Sequence, residues 1–127
     1  MIVVDSSVLI AVWNSDDIHH QIASIELKAA MEEKVVIPII AFSEALVWPY
    51  RISEAAGRRA EQQLEAVGDV VFITKSIARK AAQLRSHRVL RFPDALVIAT
   101  GQELDASGIL TFDRRWRSID DRVRCLF

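Results

Sequence analysis

Asp5, Glu44, Asp94 and Asp113 are the residues best placed to do chemistry, because each is set in an apolar stretch. Asp5 ends Met1-Ile2-Val3-Val4. Glu44 interrupts Ile39-Ile40-Ala41-Phe42-Ser43 and Ala45-Leu46-Val47-Trp48. Asp94 opens Ala95-Leu96-Val97-Ile98-Ala99, and Asp113 closes Gly108-Ile109-Leu110-Thr111-Phe112. A carboxylate in such surroundings is costly unless it is paired or bound to a cation. One explanation covers all four: they meet in space and share divalent metal ions. Hard cations such as Mg2+ take oxygen ligands and keep several waters. A cation held in this way activates water and neutralises charge on a phosphate ester. Without metal, four clustered carboxylates repel, and some hold protons at raised pKa.

Each acid has an ordinary alternative. Asp94 suits a helix N-terminus, where acids stabilise the dipole. Asp5 and Asp113 suit strand-to-helix caps. Glu44 has Ile40, Ala41, Val47 and Trp48 as its helical neighbours and no Lys or Arg within one turn, which leaves an ion pair with a distant arginine. Ser7 and Thr111 lie two residues from Asp5 and Asp113. Their hydroxyls could orient those carboxylates or hold metal-bound water, or serve as a helix cap and a strand former. His19-His20 points in two directions on a helix and reads as a solvated helix start. Asp16-Asp17 and Asp120-Asp121 read as loop acids, with Asp120 or Asp121 a candidate extra ligand. Trp13, Trp48 and Trp116 read as core or interface residues; Trp116, amid arginines, has base stacking as its alternative.

The elements that must position these residues alternate between strand and helix. Ile2–Asp5 is a short apolar run suited to a strand buried on both faces. Ser6 or Ser7 caps a short helix, Val8 to Trp13. A helix from about Ile18 to Glu33 carries Ile22, Ile25 and Ala29 on one face. Val35–Ile37 is a strand closed by Pro38, and Ile39–Trp48 a buried helix that ends or kinks before Pro49. Ser53 starts a helix to about Val67, with Gly57 a weak spot. Strand Val70–Ile73 follows, then Thr74 caps the helix Ser76–His87. Pro93 sits in the first turn of a helix ending near Leu104. Gly108–Phe112 is the fourth strand and Val123–Phe127 a fifth. Such alternation implies a parallel sheet with helices on both faces. In such sheets ligands bind beyond the carboxyl ends of the strands, where strand order reverses. Gaps of 39, 50 and 19 residues separate the four acids, so the fold alone can gather them.

Bulk properties narrow the class. A chain of 127 residues, half of them hydrophobic, suits one domain with one core. No apolar run approaches the roughly 20 residues that span a membrane, and no basic prelude marks a signal peptide. The single cysteine, Cys125, cannot form an internal disulfide, which fits a reducing cytoplasm. A net charge of −1 lacks the basic surplus common in nucleic-acid binders. Basic residues are nonetheless clustered, at Arg51, Arg58 and Arg59, from Arg79 to Arg91, and at Arg114, Arg115 and Arg117.

Three stretches, MIVVDSSVLIA, IIAFSEALVW and FPDALVIATGQELDASGILTFDRRW, together resemble a PIN-domain ribonuclease, and specifically a toxin of the VapC type. The last, with its fixed spacing from Asp94 to Asp113, is the most specific. The resemblance covers essentially the whole chain, although Arg51 to Leu90 has only generic helical character. It implies a single PIN domain over residues 1–127, a three-layer α/β/α fold with a central parallel sheet of four to five strands. It implies metal-dependent endonucleolytic cleavage of RNA in the cytoplasm, with Mg2+ or Mn2+ at an acidic site. It further implies a homodimer, inhibited by a cognate antitoxin in a heterotetramer or larger assembly. The family acids are matched by Asp5, Glu44, Asp94 and Asp113, and the hydroxyl residues beside them by Ser7 and Thr111.

On this reading Asp5, Asp94 and Asp113 coordinate metal, and Glu44 binds metal or orients the attacking water. Arg114 and Arg115 bind flanking phosphates. Trp48 and Tyr50, near a helix end, suit an antitoxin helix if exposed. Two rivals remain. One is a non-catalytic RNA- or partner-binding module that has kept the fold. The other is an Asp-phosphorylated switch or phosphatase with Asp5 as acceptor; against it, no Lys follows Lys80 and no acid lies two residues after Asp5.

Overall fold

Apolar runs too short for helices become the strands of a central sheet. The computed structural model describes residues 1–127. It contains β1 (Ile2–Val4), β2 (Val35–Pro38), β3 (Asp69–Val71), β4 (Gly108–Thr111) and β5 (Val123–Cys125). They form one sheet in the order β3-β2-β1-β4-β5, every pair parallel. β1, β2 and β4 are buried along their whole length, as central strands covered on both faces must be. The helices are α1 (Ser6–Trp13), α2 (His20–Glu33), α3 (Ile39–Ile52), α4 (Glu54–Val67), α5 (Lys75–His87) and α6 (Phe92–Glu103). The right-handed rule for parallel crossovers puts α1 to α4 on one face and α5 and α6 on the other. This is the expected three-layer α/β/α architecture with five strands. No helix is long and apolar enough to cross a membrane.

α6 is the most deeply inserted helix. Ala95, Val97, Ile98, Ala99, Thr100 and Gly101 are all buried, and Gly101 lets the helix close on Ile109 of β4: a Cβ there would stand 2.4 Å from Ile109 Cδ1. That close seating fixes the start of α6, and Asp94 with it, against the centre of the sheet.

Several elements depart from the sequence reading. α3 does not stop at Pro49 but continues to Ile52. The missing proline N–H forfeits one helical bond, yet the ladder resumes at Ser53 N–H to Pro49 O, 3.2 Å. The extra turn carries Tyr50 onto α4, where its ring packs on Gly57 and its hydroxyl bonds Glu61. Gly57 is therefore a designed close approach, not a weak spot. In α2 the buried residues are Ala23, Leu27 and Ala30, while Ile22, Ile25 and Ala29 face outward. The small alanines admit a close approach to the layer beneath, which the isoleucines would prevent. β3 ends at Val71, leaving Phe72 and Ile73 exposed beyond the sheet edge. Ser53 and Thr74 cap α4 and α5 as expected, accepting from Ala56 N and Ile77 N.

Candidate functional site

Strand order reverses between β1 and β4, and the chain leaves those two strands at Asp5 and Asp113. Asp5 takes the N-cap position of α1 in extended conformation but caps nothing with its side chain. Its Oδ2 instead accepts from Ser7 Oγ at 2.7 Å and from Thr111 Oγ1 at 2.9 Å. Both hydroxyls reach further. Ser7 Oγ accepts from Phe112 N at 3.2 Å, and Thr111 Oγ1 from Asp113 N at 3.0 Å. Two side-chain bridges thus tie the end of β1 to the end of β4. Ser7 is no helix cap; α1 begins at Ser6, and its serines turn to the acids.

Asp5 is only 6% exposed and has no cationic partner. Burial pushes its carboxyl above the usual range; the two hydroxyls oppose that, and the nearby charges of Glu44 and Asp94 add to it. Glu44 lies in the second turn of α3 and accepts from Ser6 Oγ at 3.1 Å. It is half-buried rather than enclosed, because Val47 and Trp48 face solvent. Asp94, in the first turn of α6, is 7% exposed and accepts long bonds from Arg91 Nε and Nη2, at 3.3 and 3.4 Å. Asp113 caps the 3-10 turn Arg114–Trp116 and is gripped by Arg115, with Nη2 at 2.6 Å and Nε at 3.0 Å. The Arg115 guanidinium holds the Asp113 carboxyl below its usual range.

The four acids share one electrostatic neighbourhood. Asp5 feels Glu44 and Asp94, Asp113 feels Arg91, and Arg91 feels Glu44. Convergence is partial: two of the four have arginine partners, and no three His, Cys, Asp or Glu side chains stand close enough to hold one ion. The donor set still fits a hard divalent cation. A buried carboxylate lined only by hydroxyls, with two more carboxylates in electrostatic range, lacks the positive charge it calls for. Both hydroxyl bonds fall on Asp5 Oδ2, leaving Oδ1 without a hydrogen bond.

Sequence reasoning missed Ser6 and Arg91; the i,i+3 spacing from Arg91 to Asp94 was the available signal. Other candidates settle elsewhere. Asp120 accepts from Gln102 Nε2 at 3.0 Å and pairs with Arg122, a structural use. Trp116 is 1% exposed with its Nε1 unpartnered, so it cannot stack on a base. His19 is no solvated helix start: its ring stacks on Phe112 at 4.4 Å. His20 Nδ1 lies 2.9 Å from Ala11 O. A cavity of about 750 Å3 lies away from the acids, between α1, α3 and α4, lined by Ile10, Trp13, Trp48, Pro49, Ile52 and Arg59 among others.

No curated protein matches this sequence. Three solved structures share its fold at low sequence identity. A toxin–antitoxin complex from Klebsiella pneumoniae matches with a TM-score of 0.76 at 21% identity, covering 100% of this chain and 98% of the other. VapC20 of Mycobacterium tuberculosis, a Sarcin-Ricin loop cleaving toxin, matches with 0.76 at 23%, covering 93% and 94%. VapBC2 of Rickettsia felis, solved bound to a DNA fragment from their promoter, matches with 0.77 at 12%, covering 97% and 96%. A family profile, that of the PIN domain, matches residues 2–122. With that profile spanning nearly all of the chain and the acids at the strand-order reversal of a five-stranded parallel sheet, this protein belongs to the PIN-domain family.

Proposed function

We propose that this chain is a divalent-cation-dependent endoribonuclease and the toxin of a toxin–antitoxin pair. The observation that carries the reading is Asp5: a buried carboxylate held on one oxygen by Ser7 and Thr111, beside Glu44 and Asp94, with no arginine or lysine of its own. Mg2+ or Mn2+ would be held by Asp5, Asp94 and Asp113 with help from Glu44, and when bound would supply an activated water and charge neutralisation at the phosphate. The chain's own residues do the rest. Ser7 and Thr111 fix the direction of Asp5. Ser6 occupies Oε1 of Glu44, leaving Oε2 to orient water and take its proton. Arg91 and Arg115 sit on exposed stems and hold Asp94 and Asp113 through exchangeable bonds. Arg114 and Arg115 then face the phosphates flanking the cut.

Mapping cut sites across total cellular RNA tests this directly. Purified wild type should cut, EDTA should stop it, and added Mg2+ or Mn2+ should restore it, while folded Asp5→Asn should leave the same RNA intact. Wild-type rates from Asp5→Asn, or cleavage that survives thorough chelation, refute the assignment. A second reading, a non-catalytic RNA- or partner-binding module, draws on the arginines already seated on Asp94 and Asp113; it requires that wild type cut no RNA under any divalent cation.

The antitoxin reading is supported by the apolar groove between α1, α3 and α4. Its rim residue Trp48 is 66% exposed, and an amphipathic helix is the partner that such a groove suits. Antitoxin complexes among the solved structures of the same fold favour the same partner. A homodimer that pairs with antitoxin into a heterotetramer or larger assembly belongs to this proposal.

A further inference from the structure

We propose that Arg114, Phe127, His19 and Phe112 form a stacking subsite for an unpaired RNA base beside the phosphate that is cut; this rests on the ribonuclease reading above. Three rings from three separate segments meet here. His19 lies between α1 and α2, Phe112 directly follows β4, and Phe127 follows β5. The His19 ring stacks on Phe112 at 4.4 Å and 17°, and sits 4.7 Å from Phe127. Arg114 lays its guanidinium over Phe127, with Cζ 4.1 Å from the ring centre. The cluster adjoins the acids: Phe112 and Arg114 flank Asp113 in sequence, and Phe112 N–H bonds the same Ser7 hydroxyl that holds Asp5.

Two features separate this cluster from plain packing. Phe127 stays 42% exposed, and the Arg114 side chain makes neither an ion pair nor a hydrogen bond. Its neighbours differ: Arg91, Arg115 and Arg122 are each on a carboxylate. The other arginine over a ring, Arg85 on Phe92, is tied by its Nε to Leu90 O at 2.7 Å. Arg114 alone among these has a planar cation fixed by a ring with all its donors open. A guanidinium in that state offers its outer face to a base and its edge to a phosphate. Single-stranded RNA presents both chemistries in every nucleotide, whereas a simple anion presents only one.

The test is fluorescence titration of a short uridine-rich RNA carrying one 2-aminopurine, in EDTA so that binding is read without cleavage. Wild type should quench the emission as the base stacks. Arg114→Lys keeps the charge but loses the plane, and Phe127→Leu keeps apolar volume but loses the ring. Each should abolish quenching and weaken binding by about fivefold or more, with an unchanged thermal melt. Wild-type quenching and affinity in the folded Arg114→Lys variant would overturn the subsite. If wild type cuts cellular RNA yet never quenches the probe, the subsite is wrong and the ribonuclease reading stands. If it neither cuts nor quenches, both fall.

Discussion

Thr111→Val is the sharpest perturbation of the link between β1 and β4. Valine matches threonine in shape, so nothing changes in this fully buried position except the hydroxyl. That hydroxyl donates to Asp5 Oδ2 at 2.9 Å and accepts from Asp113 N at 3.0 Å. Losing a bond to a charged group costs about 1.5–3 kcal/mol, and stranding a part-buried backbone N–H about 1–3 kcal/mol. The two losses share one atom and overlap, so the expected destabilisation is about 2–4 kcal/mol. The effect also depends on pH. Burial already raises the folded-state pKa of Asp5 above its unfolded value. The folded state therefore binds more protons between those two values, and stability falls as pH rises through that window. Removing one stabilising hydroxyl raises the folded pKa further, so the carboxylate share of the loss should fade on the acid side and be full above the folded pKa, while the stranded Asp113 N–H costs the same at both. Urea unfolding in EDTA, run in parallel below and above that range, reads both quantities; Thr111→Ser, which keeps the oxygen, is the control. A Thr111→Val penalty under about 0.5 kcal/mol on the alkaline side, or one equal to that of Thr111→Ser, would refute the bridge as an energetic element.

Three other outcomes follow from the geometry. Arg115→Ala should return the Asp113 carboxyl toward its ordinary range, seen as a rise in its pKa by NMR titration; the wild-type contribution is present above the unfolded pKa and lost as pH falls through the lower folded one, and an unmoved titration contradicts the ion pair. Gly57→Ala should destabilise by about 1–3 kcal/mol in a thermal melt, because the added Cβ stands 2.3 Å from the Tyr50 ring; helix propensity alone would stabilise by roughly 1 kcal/mol, so the sign decides. Trp48→Ala should weaken recovery of a co-expressed antitoxin without shifting the melting temperature of the free protein, since its side chain is mostly solvated; unchanged affinity counts against the groove.

The strands and the acids were legible because both depend on local contrast. Short β-branched runs bounded by turns mark the buried strands β1, β2 and β4, and an isolated carboxylate stands out against them. What the sequence concealed was set by contacts between distant segments. α3 passes Pro49 because Tyr50 gains a seat on Gly57, and a pairing of one helix with the next leaves no trace in either alone. The buried face of α2 was misjudged because isoleucine outweighs alanine in hydrophobicity, while close packing rewards the smaller residue. Glu44 looked enclosed from its helical neighbours, yet Val47 and Trp48 both face solvent. His19 looked solvated because its partners, Phe112 and Phe127, arrive from the far end of the chain.

The serine and threonine bridges bear on how the domain opens. Amide hydrogens at Phe112 and Asp113 are held by the hydroxyls of Ser7, in the first turn of α1, and Thr111, at the end of β4. They exchange with solvent only when those side-chain bonds open, unlike those of a typical surface loop. Deuterium uptake at these two amides should therefore be slower than in the surface loops, which makes this rim of the acidic pocket part of the protected frame.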